Sequence, residues 1–194
     1  MTCEADWQSA ISAVVSKWGR LDNLVNCAGI ALARPITELA LADWRRVMET
    51  NLDGVFLGTR AAMTALQTTG GGCIINIASA AGINPIAGNA AYGTGKAAIR
   101  YFTQVAALEG KPHGIRVNSI SPGAVATPMW RTTEMWPAET EAKEGEEAAL
   151  DELVQEQGFA GPQDIAAAVV YLVSDEARHI TGTDMVIDDG FSIG

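Results

Sequence analysis

Apolar residues recur at three- and four-residue steps in Trp7, Ile11, Val14, Val15 and Trp18, which predicts an amphipathic helix over residues 4–18. Thr2 is placed to cap it and Gly19 to end it. The periodicity then shortens: residues 21–29 read as an apolar strand running into a turn. A long helix, with small and apolar residues along one side, is predicted from residue 43 to about 66. Gly70-Gly71-Gly72 breaks it ahead of a second buried strand over 73–78. A loop with Asn84-Pro85 leads to a helix over about 90–109, a strand over 115–120 and the break Ser121-Pro122-Gly123. Residues 127–157 read as less regular and acidic, followed by a helix over 162–173 and a short strand over 184–187. Pro162 suits the first turn of that helix and Asp164 its positive end. Strands alternating with helices predict an α/β fold, a doubly wound parallel sheet with right-handed crossovers. Residues 1–194 form one domain in this reading, with no repeat and no linker.

Composition narrows the function. The chain has 194 residues, nearly half of them apolar, and a formal charge of −10. Binding phosphates or anionic lipid requires a basic surface, so nucleic-acid and membrane-surface roles are disfavoured. No stretch approaches the ~20 apolar residues of a membrane helix, and residues 1–6 do not resemble a signal peptide. Cys3, Cys27 and Cys73 are odd in number and widely spaced, which argues against a disulfide framework or zinc site and suits a reducing cytoplasm. Cys27 and Cys73 lie in apolar runs and are expected to be buried. His113 and His179 lack partners at ligand spacing and are expected at the surface, so no metal is predicted.

Tyr92 and Lys96 stand one helical turn apart and share a face. A free phenol, with a pKa near ~10, is a poor base at neutral pH; an adjacent ammonium is expected to lower it. The pair suits proton transfer to or from a carbonyl oxygen, although a Tyr with an exposed Lys is the commoner explanation of such spacing. Gly93 and Gly95 in the same turn imply close backbone approach, since each costs a helix interior up to ~1 kcal/mol. Ser79 follows the 73–78 strand at the edge where parallel sheets bind ligands. It either bonds a substrate oxygen or satisfies a local turn. As a hydrolase nucleophile it lacks a glycine-flanked elbow and a nearby His. Asn51 within the 43–66 helix either faces solvent or holds a water or a neighbouring backbone.

Together these pieces resemble the short-chain dehydrogenase/reductase family along essentially the whole chain. Asn26-Cys27-Ala28-Gly29 is similar to the family's Asn-Asn-Ala-Gly turn, beside the adenosine end of the cofactor. Asn51, Ser79, Tyr92 and Lys96 match the catalytic tetrad in order and spacing. Pro122-Gly123 with Val125 and Thr127 resembles the stretch that holds the nicotinamide carboxamide, and Thr181-Gly182 with Asp188-Asp189-Gly190 the closing strand. The resemblance implies a Rossmann-like fold and NAD or NADP as cofactor, with Asn26, Ala28, Gly29, Tyr92, Lys96, Pro122, Gly123, Val125 and Thr127 contributing to its site. Tyr92 is then the general acid/base in interconverting a secondary alcohol and a ketone. Lys96 lowers its pKa and binds the nicotinamide ribose, Ser79 orients the substrate oxygen, and Asn51 places a water. Members pair helices across two-fold axes, so a homo-oligomer, dimer or tetramer, is expected. Ala61, Ala62, Ala97, Ala98, Ala106 and Ala107 are the small residues available for that contact, with internal packing as the alternative. Residues 127–157 correspond to a substrate lid, whose Met129, Trp130, Met135 and Trp136 suit an apolar alcohol or simply pack the lid down.

The sequence departs from the family at its start. No Gly-rich pyrophosphate turn follows a strand; Gly93-Thr94-Gly95-Lys96-Ala97-Ala98 fits a relaxed version but overlaps the catalytic turn. The expectation is a chain lacking the family's first three strands, with an open edge at strand 24–28 and weakened cofactor affinity. The alternative to an active enzyme is a catalytically silent relative serving as an oligomerising or binding module. Asp189 stands where the family usually has Gly.

Overall fold

The computed structural model describes residues 1–132 and 135–193, so Thr133 and Glu134 of the expected lid, and Gly194, lie outside the described residues. The elements are α1 (Glu4–Trp18), β1 (Asn23–Asn26), α2 (Leu41–Met48), α3 (Gly54–Thr69), β2 (Gly72–Ile77), α4 (Ala90–Gly110), β3 (Ile115–Pro122), α5 (Ala138–Glu144), α6 (Glu146–Gln155), α7 (Pro162–Val173) and β4 (Asp184–Ile187). Among the described residues four strands form a sheet, parallel throughout as the alternating pattern predicts, in the order β1-β2-β3-β4.

Successive side chains of a strand point to opposite faces, and both faces of β2 are covered. Ile74 packs with Leu66 of α3, Ala106 and Ala107 of α4 and, at the margin, Ile11 and Val14 of α1. Cys73 and Ile75 point the other way, onto Leu172 of α7. Gly72 makes the entry to β2 possible: a Cβ there would stand 2.3 Å from the carbonyl oxygen of Asp22. The α7 start is closed by Asp164, whose carboxylate accepts the Gly161 N–H at 2.8 Å. At the other end, Arg116 donates to the Leu172 carbonyl at 2.6 Å.

Several expectations change. The 43–66 helix is two helices joined by a π-helical turn over Glu49–Asp53, and Asn51 is the buried residue of that turn. The cap of α1 is Cys3 in place of Thr2, with no side-chain bond to the helix. Residues 127–157 are more regular than their composition suggests. They form a 3₁₀ turn, α5 and α6, around a small core of Ala126, Trp136, Ala149, Leu153 and Phe159. Cys27 is exposed because it lies past the end of β1, whereas Cys73 inside β2 is buried. Ala62, Ala106 and Ala107 serve internal packing, while Ala97 remains exposed. His113 and His179 are both at the surface. Asp189 has the left-handed φ of 49°, a conformation that glycine adopts at least cost.

Candidate active site

The parallel register puts the ends of three strands at one edge. Asn26 pairs with Asn76 and Ile77 with Ile120, so the segments beginning at Cys27 and Ala78 leave the sheet side by side, and β3 runs on along β4 to Pro122 before the chain leaves at Gly123. Parallel α/β sheets bind ligands at such carboxyl edges. Asn51, Ser79, Tyr92 and Lys96 meet there.

Asn51 is fully buried and reads the backbone of the segment after β1. Its Oδ1 accepts the Ile30 N–H at 2.8 Å and its Nδ2 donates to the Ile30 carbonyl at 2.9 Å. The solvent-facing alternative for Asn51 is thereby excluded. Gly29, just before, leaves room for the neighbouring groups. A Cβ on it would lie 3.3 Å from Asn51 Oδ1 and 3.5 Å from Lys96 Nζ.

Lys96 is 4% exposed, and its ammonium donates to the Ile77 carbonyl at 2.7 Å. Nζ also lies 5.7 Å from the centre of the Tyr92 ring, within reach of a cation–π attraction. Burial pulls the Lys96 pKa down to about 8 from the ordinary 10.5, partly opposed by the field of Cys27. Tyr92 departs from expectation. Burial raises its phenol pKa, and hydrogen bonding to the Ser79 side chain only pulls it partway back. Desolvation disfavours the phenolate more than the surrounding polar groups favour it. Ser79 satisfies the local turn: Oγ accepts the Ala81 N–H at 3.2 Å, capping the 3₁₀ turn Ala80–Gly82, and its side chain also meets the Tyr92 phenol.

The glycines of α4 serve close packing. A Cβ on Gly93 would stand 2.9 Å from the Ala81 carbonyl oxygen, and one on Gly82 2.7 Å from the Ala97 nitrogen. Both glycines let the Ser79 turn lie directly on the α4 backbone. The Gly93-Thr94-Gly95 run therefore sits inside a helix and follows no strand, so it does not form a phosphate turn.

The remaining predicted residues occupy the same edge in different ways. Asn26 points inward, donating to Asn76 Oδ1 at 2.9 Å and Thr59 Oγ1 at 3.2 Å, and its own buried Oδ1 has no partner. Its side chain supports the strand, while Ala28 just beyond is exposed and Gly29 lies against Asn51 and Lys96. Pro122 ends β3 buried, and the Gly123 N–H bonds the Ile187 carbonyl at 2.8 Å. The Val125 carbonyl accepts Trp130 Nε1 at 2.8 Å and Thr127 Oγ1 at 3.4 Å. Trp130 stacks edge-on against Phe159, and Trp136 is buried beside it, so these two pack the 127–157 segment down; Met129 and Met135 are exposed. A cleft of about 510 Å³ lies elsewhere, between α5 and α6, and carries mostly acidic side chains. Pattern reading missed Asn76, which donates to Thr103 Oγ1 at 2.9 Å, and the pair Arg100 and Asp184. The repeat of polar residues at 92, 96 and 100 was the available signal for Arg100.

Comparison with known proteins gives the family and the fold. A family profile described as enoyl-(acyl carrier protein) reductase matches residues 1–192. Cyclopentanol dehydrogenase of Comamonas testosteroni is 38% identical over 99% of this chain and 74% of its own length. The 3-alpha-(or 20-beta)-hydroxysteroid dehydrogenase of Mycobacterium bovis is 39% identical over 100% of this chain and 69% of its own. The crystal structure of levodione reductase superposes with a TM-score of 0.83 at 31% identity, covering 98% of this chain and 74% of that one. The chain belongs to the short-chain dehydrogenase/reductase family. It is an oxidoreductase of that family with a Rossmann-like α/β fold. Among the described residues, no helix is long and apolar enough to cross a membrane.

Proposed function

We propose that this protein interconverts a secondary, alicyclic alcohol and the matching ketone, using a nicotinamide cofactor and Tyr92 as general acid/base. The observation that carries the reading is the convergence of Tyr92, Ser79 and the buried Lys96 ammonium at one strand edge. Relatives named for cyclopentanol and hydroxysteroids support the substrate class.

The residues present fit the nicotinamide end of such a cofactor. Lys96 offers buried N–H donors beside a glycine whose missing Cβ leaves the approach open. Tyr92 and Lys96 would hold the ribose, and Gly29, Pro122, Gly123, Val125 and Thr127 would border the ring. Asn26 and Ala28 stand on the side nearer the adenosine. When bound, the cofactor supplies or accepts the hydride. No Gly-rich turn between a strand and a helix start is found among the described residues.

In the reducing direction the Tyr92 hydroxyl donates its proton to the carbonyl oxygen, which the Ser79 hydroxyl also holds. Burial keeps that phenol protonated at neutral pH, which suits the acid role. In oxidation the phenolate must accept the alcohol proton, so the oxidation rate rises with pH. Asn51 holds the Ile30 backbone open beside Lys96 and places a water there for proton exchange. The 127–157 segment acts as a lid, with Met129 and Met135 as its apolar contacts. The free thiols Cys3, Cys27 and Cys73 suit a cytoplasmic setting. A homo-oligomer, dimer or tetramer, is the assembly we infer from family membership.

The test is steady-state assay of the 194-residue chain with cyclopentanol and larger cyclic alcohols, using NAD and NADP in turn. Turnover that falls ~10²–10⁴-fold in Tyr92→Phe is expected for loss of a general acid/base. No turnover with any alcohol, or an unimpaired Tyr92→Phe enzyme, overturns the assignment.

A further inference from the structure

Tyr92, Lys96 and Arg100 recur every fourth residue along α4, so all three share the face turned toward the sheet. The chemistry above uses the first two and leaves the third without a role. Arg100 is two-thirds buried and makes two kinds of contact. Its Nε donates to Asp184 Oδ2 at 2.7 Å, and its Nη1 reaches the Gly82 carbonyl at 3.4 Å. The planar guanidinium, with donors fixed in a fork, suits such a two-pronged hold.

Asp184 opens β4, and its side chain is 12% exposed. It accepts Ser119 Oγ at 2.6 Å and Ser121 Oγ at 2.9 Å, besides Arg100. A single carboxylate thus ties β4 to α4 and to the last turn of β3, immediately before Pro122-Gly123. Through the second prong of Arg100 the same network reaches Gly82, the end of the turn that Ser79 caps. That turn rests on α4 with no side chain between the two backbones, since neither Gly82 nor Gly93 leaves space for a Cβ. Its height above α4 sets how far the Ser79 hydroxyl lies from the Tyr92 phenol.

We propose that Arg100, anchored by Asp184, is a positioning residue that fixes the spacing between Ser79 and Tyr92. The same carboxylate steadies the β3 end that leads into Pro122-Gly123. This rests on the reading that Ser79 and Tyr92 act together on the substrate oxygen.

The experiment compares Arg100→Met, Arg100→Lys and Asp184→Asn in the 194-residue chain. Three quantities are followed: thermal unfolding, amide hydrogen exchange at Gly82 and Ile83, and kcat and KM for cyclopentanol. The Gly82 and Ile83 amides bond the Ser79 and Ala80 carbonyls, each at 2.9 Å, and report the turn directly. In Arg100→Met their exchange is expected to quicken about tenfold relative to β2 amides, as for loss of one charge-assisted hydrogen bond. kcat falls by about the same factor while KM changes less. Lysine restores the ion pair but not the reach to Gly82, so Arg100→Lys keeps the parent unfolding temperature yet retains fast exchange and low kcat. Asp184→Asn loosens both ends and additionally raises KM for the cofactor.

Should Arg100→Lys match the parent in exchange and kcat, or Arg100→Met quicken exchange no more at the turn than in β2, the positioning role is overturned. If Arg100→Met does not fold, Arg100→Lys carries the comparison. A parent chain that turns over no alcohol defeats the functional reading, and the exchange data then decide the hold on the turn by themselves.

Discussion

Two neighbouring strands show how differently one sheet is built at its centre and at its margin. In β2 every residue except the two ends is buried, and in β3 every residue except Arg116. In β1 only Asn26 is buried, and no residue of α1 is. Val25 and Ile75 are partners across the same ladder, on the same face, yet Val25 is 39% exposed and Ile75 fully buried. The cause is α7, which covers the middle strands on that face and stops short of β1. The side chains assigned to the chemistry hang from the buried centre: Ser79 follows β2, Pro122 and Gly123 close β3, and Lys96 bonds the last carbonyl of β2. Positional accuracy in this site comes from strands packed on both faces, where a side chain has little freedom to relax.

The sharpest way to test that contrast is Ile75→Ala, expected to cost ~2–5 kcal/mol in denaturant unfolding, the range for a large core side chain truncated. Next comes the buried lysine. Its pKa is lower folded, about 8, than its ordinary 10.5, so below pH 8 the folded state carries a charge that burial penalises. Between those values the unfolded chain binds the extra proton, and stability rises with pH. The rise is ~3 kcal/mol in all, and it disappears in Lys96→Met. A flat stability profile across that window in the parent would mean that Lys96 is better solvated than its surroundings indicate. The smallest effect belongs to the margin: Val25→Thr, at a half-open position, should change stability by no more than ~0.5 kcal/mol. Equal losses from Ile75→Ala and Val25→Ala would break the comparison.

Much of this was readable in advance where the signal is local. The helix over Glu4–Trp18, the α7 range and the parallel strands follow from periods of three to four and from continuous apolar runs, because a helix or buried strand repeats its environment every turn or every residue. Tyr92 and Lys96 declared a shared face by spacing alone. The break between α2 and α3 was not legible. A π-helical turn leaves the apolar rhythm nearly intact and reveals itself only by where Asn51 points. Cys27 misled for a related reason: an apolar neighbourhood in sequence does not say where a strand stops.

By itself, then, the amino-acid order determined most of the helices and the strands, which strands lie inside, and which phenol and ammonium stand one turn apart, but not α5, α6 or the π-helical break before α3. Tertiary structure alone decided what those groups experience. The phenol pKa rises because burial outweighs the bond from Ser79, and Arg100 meets Asp184 across 84 residues of chain. Periodicity is a property of neighbours along the backbone. Desolvation and long-range pairing arise only when distant segments close around a common point.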